Sequence, residues 1–176
     1  MIDGATAARD AVLVALALLG GYVVGSIPTH RLAGTGAGPG WGFLALTVDL
    51  AKGVVPVAIG IVTWSWWVGW VAGLGAVVGA CWPAFGRARG GDGLATLSGA
   101  AFTLAPPAGL VSALVALVVL ASGRLAGRDL RAAAVAVGLA AFPVLFLAVE
   151  QDPARLAALV ALYLVVLVRA RATRGG

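Results

Sequence analysis

The sequence predicts an all-α integral membrane protein with about seven transmembrane helices, two of them short. Hydrophobic residues make up 61% of the 176 residues and charged residues only 11%, whereas soluble domains average about 45–50% apolar and about 25% charged residues. Apolar segments recur along the whole chain, and arginines lie mostly at their ends, as topology signals do. We expect the N-terminus outside the membrane, the C-terminus in the cytoplasm, and one transmembrane domain over residues 1–176.

Six apolar segments alternate with polar stretches: 11–29, 43–63, 66–85, 94–121, 132–149 and 156–168. The first resembles the core of a signal peptide, but no small-x-small cleavage pattern follows it, so we expect a retained helix. The fourth is too long for one simple span and contains Pro106-Pro107. Since proline cannot donate a backbone hydrogen bond, this segment is either one kinked helix or two short helices, about 94–105 and 108–121.

The arginines favour the two-helix alternative. Seven crossings with an external N-terminus place nine of the eleven arginines in the cytoplasm and leave Arg9 and Arg155 outside. Six crossings with an internal N-terminus place seven arginines in the cytoplasm and four outside, which is a weaker asymmetry. Short helices are tolerated where they line a cavity enclosed by protein, so residues 86–121 are expected to surround a site. Because the arginines flank apolar spans, no nucleic-acid partner is expected.

Polar stretches between the spans are predicted to be loops. They are a glycine-rich cytoplasmic loop, a basic cytoplasmic loop, an outer turn and a basic tail, at 33–42, 122–131, 150–153 and 169–176. Four tryptophans near the second outer turn are typical of an interfacial aromatic belt: Trp64, Trp66, Trp67 and Trp70. With one cysteine and one histidine, the chain has neither an intrachain disulfide nor a multi-cysteine or multi-histidine metal site.

Ionisable residues inside apolar segments are costly and are usually paired or functional. Asp49 and Lys52 are three residues apart and therefore share a helix face. They form either a structural ion pair, or a site in which Lys52 reaches a phosphate or a loop backbone and Asp49 orients it. In "GSIPTHR", Ser26, Thr29 and Arg31 form either a plain helix terminus or the wall of a polar cavity in which Arg31 pairs with an anion.

The stretch "RARGGDGLAT" (87–96) combines glycines, arginines and the start of a helix. Glycines allow backbone N–H groups to turn toward a ligand, and a helix N-terminus favours an anion. Arg87 and Arg89 suit a phosphate. No GK[ST] follows, so this is not a Walker motif. The alternative is a plain loop in which Asp92 is the N-cap of the next helix.

Four stretches, in this order and spacing, resemble one family: "GSIPT" (25–29), "DLAKG" (49–53), "WPAF" (82–85) and "RGGDGLAT" (89–96). They are similar to the acyl-phosphate:glycerol-3-phosphate acyltransferases of the bacterial plasma membrane, over roughly residues 12–170. The resemblance implies a multi-pass, seven-helix protein with cytoplasmic motifs. It also implies acyl transfer from acyl phosphate to glycerol 3-phosphate, which gives lysophosphatidic acid for phospholipid biosynthesis. Membrane lipids and the two substrates are the implied partners, and no metal or cofactor is implied.

The chain departs from the family pattern at several positions. The Gly-Ser-Gly-Asn loop is shortened to "GTGAGPGWG", where Thr35 is the one hydroxyl. Ala80 and Cys81 stand where a histidine precedes the Trp-Pro pair, Asp92 stands in place of a lysine, and the terminal His-Arg-x-Asn segment is absent. Replacing lysine by aspartate changes the local charge by two units, so an ionised Asp92 would repel a phosphate.

These departures leave catalytic residues unassigned and three hypotheses open. The first is a divergent acyltransferase. The second is a catalytically impaired member that binds lipid phosphate or regulates a partner. The third is a small transporter that uses Asp49 and Lys52 as its internal polar element. Under the first, Asp49 and Asp92 support the following substrate-binding residues: Ser26, Thr29, Arg31, Lys52, Arg87, Arg89, Gly90, Gly91, Gly93 and Thr96.

Overall fold

The computed structural model describes residues 4–29, 39–85, 93–125, 131–149 and 152–174 of the chain. These residues form seven α-helices: α1 (Gly4–Gly25), α2 (Pro39–Thr63), α3 (Trp66–Cys81), α4 (Leu94–Leu104), α5 (Pro106–Leu125), α6 (Arg131–Val149) and α7 (Pro153–Arg174). The predicted all-α fold is therefore confirmed.

The Pro106-Pro107 pair separates two helices, as the arginine distribution favoured. α4 ends at Leu104 and α5 begins at Pro106. Proline is tolerated in the first turn of a helix, where its missing N–H would have no intrahelical partner. The prediction that both helices are short was wrong for the second, because α5 has 20 residues and α4 has 11.

Three predicted loops are shorter than expected because helices extend into them. α2 begins at Pro39, so residues 39–42 of the glycine-rich loop are helical. α5 continues to Leu125, and α7 continues through the basic tail to Arg174. Alanine, leucine and arginine are strong helix formers, which explains the two C-terminal extensions. In the turn before α7, Asp152 Oδ1 accepts a hydrogen bond from the Ala154 amide at 2.9 Å and so caps the start of α7.

By their contacts, the helices group into two compact units, residues 1–104 with 162–176, and residues 105–161. Within the second unit, α5 packs against α6. Gly138 of α6 lies close to Ala116 of α5, where a Cβ on the glycine would come within 2.9 Å of the alanine Cβ. The expectation of one transmembrane domain stays a prediction.

In the first unit, α1 packs along α3 and α2, and α2 also packs along α4. The α1–α3 contact is made by glycines on both helices. A Cβ on Gly21 or Gly25 would fall on the backbone of α3, and a Cβ on Gly75 or Gly79 would fall on the backbone of α1. Small residues at four-residue spacing let transmembrane helices approach closely, so this contact fixes where α1 ends relative to α3.

Four of the described helices contain segments long and apolar enough to cross a membrane, at Thr6–Gly25, Leu44–Thr63, Pro106–Gly123 and Pro153–Ala172. Helices α3 and α4 are apolar but shorter. Many large apolar side chains on these helices are exposed, for example Leu16 and Ile59. In a bilayer such side chains face lipid.

Candidate functional site

A polar cluster forms where the turn after α1 meets α2 and α4. Its centre is Lys52, which is only 5% exposed. The Lys52 ammonium donates hydrogen bonds to the carbonyl oxygen of Ile27 at 2.6 Å, to Thr29 Oγ1 at 2.9 Å and to Asp49 Oδ1 at 2.6 Å. An ammonium has three N–H donors, so all three are used. Lys52 therefore holds the turn after α1 against α2.

The same carboxylate joins the hydroxyl of Thr29 to the cluster. Thr29 Oγ1 donates to Asp49 Oδ1 at 2.5 Å, and Thr29 is 5% exposed. The side chain of Asp49 remains 35% exposed, so one edge of the cluster is open. The ion pair that the spacing of Asp49 and Lys52 predicted is present.

Helix α4 reaches the cluster through Thr96, which is 1% exposed. Its hydroxyl donates to the backbone carbonyl of Asp49 at 3.1 Å. The neighbouring Gly53 permits this approach, because a Cβ there would fall on the carbonyl oxygen of Thr96 and would lie 2.6 Å from the amide of Ala100. The glycine of "DLAKG" thus brings the "GLAT" stretch against α2.

The stretch "WPAF" after α3 is tied to α1 by two hydrogen bonds. The Tyr22 hydroxyl donates to the carbonyl oxygen of Trp82 at 3.0 Å, and the Ala84 amide donates to Ser26 Oγ at 3.3 Å. Ser26 is fully buried. Because Pro83 follows Trp82, the chain leaves α3 here, and the two bonds fix its exit beside the end of α1.

Gly93, the last residue before α4, has a backbone conformation that requires glycine. Its φ is +72°, the one positive φ among the described residues. A Cβ at this position would also lie 2.6 Å from the Cys81 sulfur and 3.7 Å from Val166 Cγ2. The Gly93 carbonyl accepts from the Leu97 amide at 2.8 Å. Gly93 therefore starts α4 close to the end of α3 and beside α7.

Sequence reasoning missed two residues of this region. Arg169 of α7, interpreted as a topology signal, places its guanidinium 5.8 Å from the ring centroid of Trp82. Tyr22 was included only in an apolar segment, although its hydroxyl fixes Trp82. For Arg169 the available signal was Trp82 itself, because an aromatic ring in a motif can attract a cation. The Tyr22 bond ends on a backbone carbonyl and left no signal in the sequence. The predicted tryptophan cluster is present, with Trp66 and Trp67 rings 4.9 Å apart.

The structure brings together much of the predicted site. Ser26, Thr29, Asp49, Lys52 and Thr96 lie in or directly beside the cluster, and Gly93 begins the helix that carries Thr96. Six predicted residues lie outside the described residues: Arg31, Arg87, Arg89, Gly90, Gly91 and Asp92. Their roles stay predictions.

Comparison with known proteins identifies the family of this chain. The glycerol-3-phosphate acyltransferase family model matches residues 32–174. The chain belongs to this family. Among named members, the glycerol-3-phosphate acyltransferase of Synechococcus sp. (strain JA-3-3Ab) is 39% identical over 70% of this chain and 72% of the relative. That of Erythrobacter litoralis is 38% identical over 72% of this chain and 75% of the relative.

The glycerol-3-phosphate acyltransferase of Rubrobacter xylanophilus is 41% identical over 56% of this chain, and the match spans only 60% of that relative. Among solved structures, the lysophosphatidic acid form of PlsY, an integral membrane glycerol 3-phosphate acyltransferase, superposes with a TM-score of 0.74. It is 21% identical and the match covers 92% of this chain and 90% of PlsY. The fold of this glycerol-3-phosphate acyltransferase family member is therefore that of a multi-pass integral membrane protein.

Proposed function

We propose that this family member transfers an acyl group from an acyl phosphate to glycerol 3-phosphate. A hydroxyl oxygen of glycerol 3-phosphate attacks the acyl carbonyl carbon, and the bond between that carbon and the phosphate oxygen breaks. The hydroxyl proton leaves with the released inorganic phosphate, and the products are lysophosphatidic acid and phosphate. The reaction needs two anionic substrates held side by side, so positioning supplies much of its rate.

The convergence of four separate stretches on one polar cluster supports this proposal most strongly. Asp49 joins three of the stretches, because its side chain or backbone is hydrogen-bonded to residues of "GSIPT", "DLAKG" and "GLAT". The fourth stretch, "WPAF", is hydrogen-bonded to Ser26 of "GSIPT". Stretches far apart in a membrane protein rarely place buried polar groups together without a functional reason. Membership of the acyltransferase family supplies the reaction class.

Within this proposal, Lys52 positions the site and other residues contact the substrates. All three Lys52 donors are directed at protein oxygens, so a phosphate would have to displace one of them. The predicted phosphate ligands are therefore the arginines, Arg31, Arg87 and Arg89, and the backbone N–H groups of Gly90, Gly91 and Gly93. Charge-assisted hydrogen bonds of this kind suit phosphate oxygens. Ser26, Thr29 and Thr96 are buried and contribute hydroxyl groups to the described part of the site.

We place the site at the cytoplasmic side of the membrane, with the N-terminus outside. α1 has 22 residues, which corresponds to about 33 Å and is enough to cross the hydrocarbon core. The turn that carries Ser26 and Thr29 is therefore on the side opposite the N-terminus. Nine of eleven arginines collect on that side in this orientation.

The decisive experiment is a product assay with purified protein. Protein in detergent receives an acyl phosphate and radiolabelled glycerol 3-phosphate, and lysophosphatidic acid is separated from the reactants. We expect product above the level of an identical preparation from cells that lack the gene. Asp92→Lys is measured in parallel, and we expect it to raise the rate because it replaces an anion by a cation near the bound phosphates.

Absence of product in both proteins would overturn the proposal. A protein that forms none, yet is stabilised against heat by lysophosphatidic acid, would instead match the catalytically impaired member. Arg89→Ala separates that result from nonspecific lipid effects, since loss of a phosphate ligand should abolish the stabilisation.

A further inference from the structure

Helix α2 contains a buried proline, Pro56, four residues after Lys52. Proline has no backbone N–H, so the hydrogen bond that the Lys52 carbonyl would accept in a regular α-helix cannot form. The proline ring also crowds that carbonyl, which is a common cause of a sharp bend in a helix. The hydrogen-bond ladder of α2 is therefore interrupted at the residue whose ammonium is the centre of the polar cluster.

The segment of α2 that precedes Pro56 is in close backbone contact with α4. A Cβ on Gly53 would fall on the carbonyl oxygen of Thr96, and a Cβ on Gly99 would fall on the carbonyl oxygen of Leu50. Small residues of this kind let two helices in a membrane approach closely. This contact fixes the segment that carries Lys52 against α4.

The segment of α2 that follows Pro56 is in close backbone contact with α3 instead. A Cβ on Gly60 would lie 2.6 Å from the Cα of Gly69, and a Cβ on Gly69 would lie 2.8 Å from the carbonyl oxygen of Val57. Val57 is completely buried. The close backbone contact of α2 thus passes from α4 to α3 between Gly53 and Val57, and Pro56 lies at this change.

We propose that Pro56 is a positioning residue of the acyl-transfer site, which directs the preceding segment of α2 so that Lys52 and Asp49 meet the turn after α1. Its role in catalysis rests on the proposed function. By helical rise, Lys52 lies about 6 Å and Asp49 about 10 Å from Pro56. A change of about 20° in the direction of this segment would move Asp49 by about 3–4 Å. The hydrogen bonds of Thr29 Oγ1 to Asp49 and Lys52, at 2.5 and 2.9 Å, would not survive such a displacement.

The ammonium of Lys52 reports on this arrangement directly, because Lys52 is the only lysine of the chain. Its side chain is 5% exposed and its three N–H donors are used, so reductive methylation by formaldehyde and a borane should be slow in the wild type. Pro56→Ala restores the N–H at position 56 and removes the ring, so we expect α2 to straighten. Lys52 should then be methylated about tenfold faster, because its partners in the turn are lost. Peptide mass spectrometry measures the rate on protein in detergent.

Pro143→Ala is the matched control, because Pro143 also lies inside a helix, α6, but belongs to the second unit. It should leave the methylation rate of Lys52 unchanged. Pro56→Val restores the same N–H with a side chain close to proline in volume, so it keeps more of the packing. Thermal unfolding in detergent checks each variant, and Pro56→Val carries the test if Pro56→Ala does not fold. Unchanged methylation in folded Pro56→Val, or an equal increase in Pro143→Ala, would overturn the proposal.

The kinetic constants of acyl transfer separate positioning from the proposed reaction. In Pro56→Ala we expect kcat to fall about tenfold or more, because a misplacement of about 1 Å can cost that much. KM should change little, since the predicted phosphate ligands lie outside α2. The methylation assay needs no turnover, so faster methylation of Pro56→Ala without any product from the wild type would overturn the reaction and keep the effect on Lys52. Product from the wild type together with an unchanged kcat in Pro56→Ala would overturn the positioning role.

Discussion

The Lys52 ammonium lies 2.6 Å from Oδ1 of Asp49, one turn earlier on the same helix. Both groups also form a hydrogen bond with Thr29 Oγ1, so the pair holds the turn after α1 against α2. The two side chains differ in exposure, at 5% for Lys52 and 35% for Asp49. Removing the buried cation would leave a partly buried carboxylate and two oxygens without their donor, which costs more than the pair itself contributes.

Lys52→Met is therefore expected to lower the free energy of unfolding by about 2–3 kcal/mol, below the 3–5 kcal/mol of a fully buried pair because Asp49 is partly exposed. Asp49→Asn in the same chain should restore part of this loss by removing the unpaired charge. Denaturation in mixed detergent micelles measures both. A double variant no more stable than Lys52→Met would contradict the charge argument.

A second ion pair of the same spacing serves as the control. Arg155 and Asp152 are also three residues apart, but their atoms lie 3.7 Å apart and their side chains are 39% and 44% exposed. Exposed pairs contribute about 0–1 kcal/mol, so Arg155→Met should change stability by less than about 1 kcal/mol. Equal effects of the two substitutions would show that burial does not govern the Lys52 pair.

The sequence predicted which residues share this cluster, and the roles that it predicts for them stay predictions. A spacing of three placed Asp49 and Lys52 on one face, and the motif order pointed to Ser26, Thr29 and Thr96. The acceptor role of the Ile27 carbonyl was not predictable, because it depends on how the turn after α1 lies against α2. That contact is tertiary and leaves no local pattern.

Helix number followed from the sequence, whereas helix ends did not. The prolines predicted either a kink or a break near Pro106, because proline removes a backbone donor, and the arginine distribution favoured the break. The extension of α5 to Leu125 and of α7 to Arg174 was missed, because basic residues after an apolar run were interpreted as loops. Arginine is a good helix former and is favourable near a helix C-terminus. Arginines therefore end the apolar segment that crosses the membrane, while the helix itself continues.

Gly53→Ala tests the close approach of α2 and α4. The added methyl would fall on the Thr96 carbonyl, so α4 must move away and the Thr96 bond to Asp49 must lengthen. We expect a loss of about 1–3 kcal/mol in stability, as for other overpacked sites, and a lower kcat. Gly20→Ala is the matched control, since its methyl meets nothing within 4 Å, and it should be neutral or slightly stabilising.

Gly93→Ala combines two separable costs. A φ of +72° disfavours alanine by about 1–2 kcal/mol, and the new methyl would contact the Cys81 sulfur. Cys81→Ala in the same chain should remove the second cost and leave the first, so the double variant should be more stable than Gly93→Ala alone. Unfolding in mixed micelles for the single and double variants measures the difference. Equal stability of the two would show that the sulfur contact has no energetic role.

Arg169 and Trp82 are expected to be coupled through the guanidinium that lies 5.8 Å from the ring centroid. A double-mutant cycle with Arg169→Gln and Trp82→Leu should give a coupling of about 0.5–2 kcal/mol in stability. Arg171→Gln, two residues further along α7 and exposed, should give none with Trp82→Leu. A coupling for Arg171 as large as that for Arg169 would assign the effect to overall charge.

Orientation in the membrane can be tested with single cysteines, because the native Cys81 is fully buried and labels poorly. Thr6 and Arg171 are exposed, near the start of α1 and the end of α7. In intact cells, a membrane-impermeant maleimide should label Thr6→Cys, whereas Arg171→Cys should react only after permeabilisation. Since α1 is long enough to cross the bilayer once, this result would place Thr29 and the polar cluster on the cytoplasmic side. The opposite labelling pattern would place the cluster outside, where nine arginines would violate the positive-inside rule.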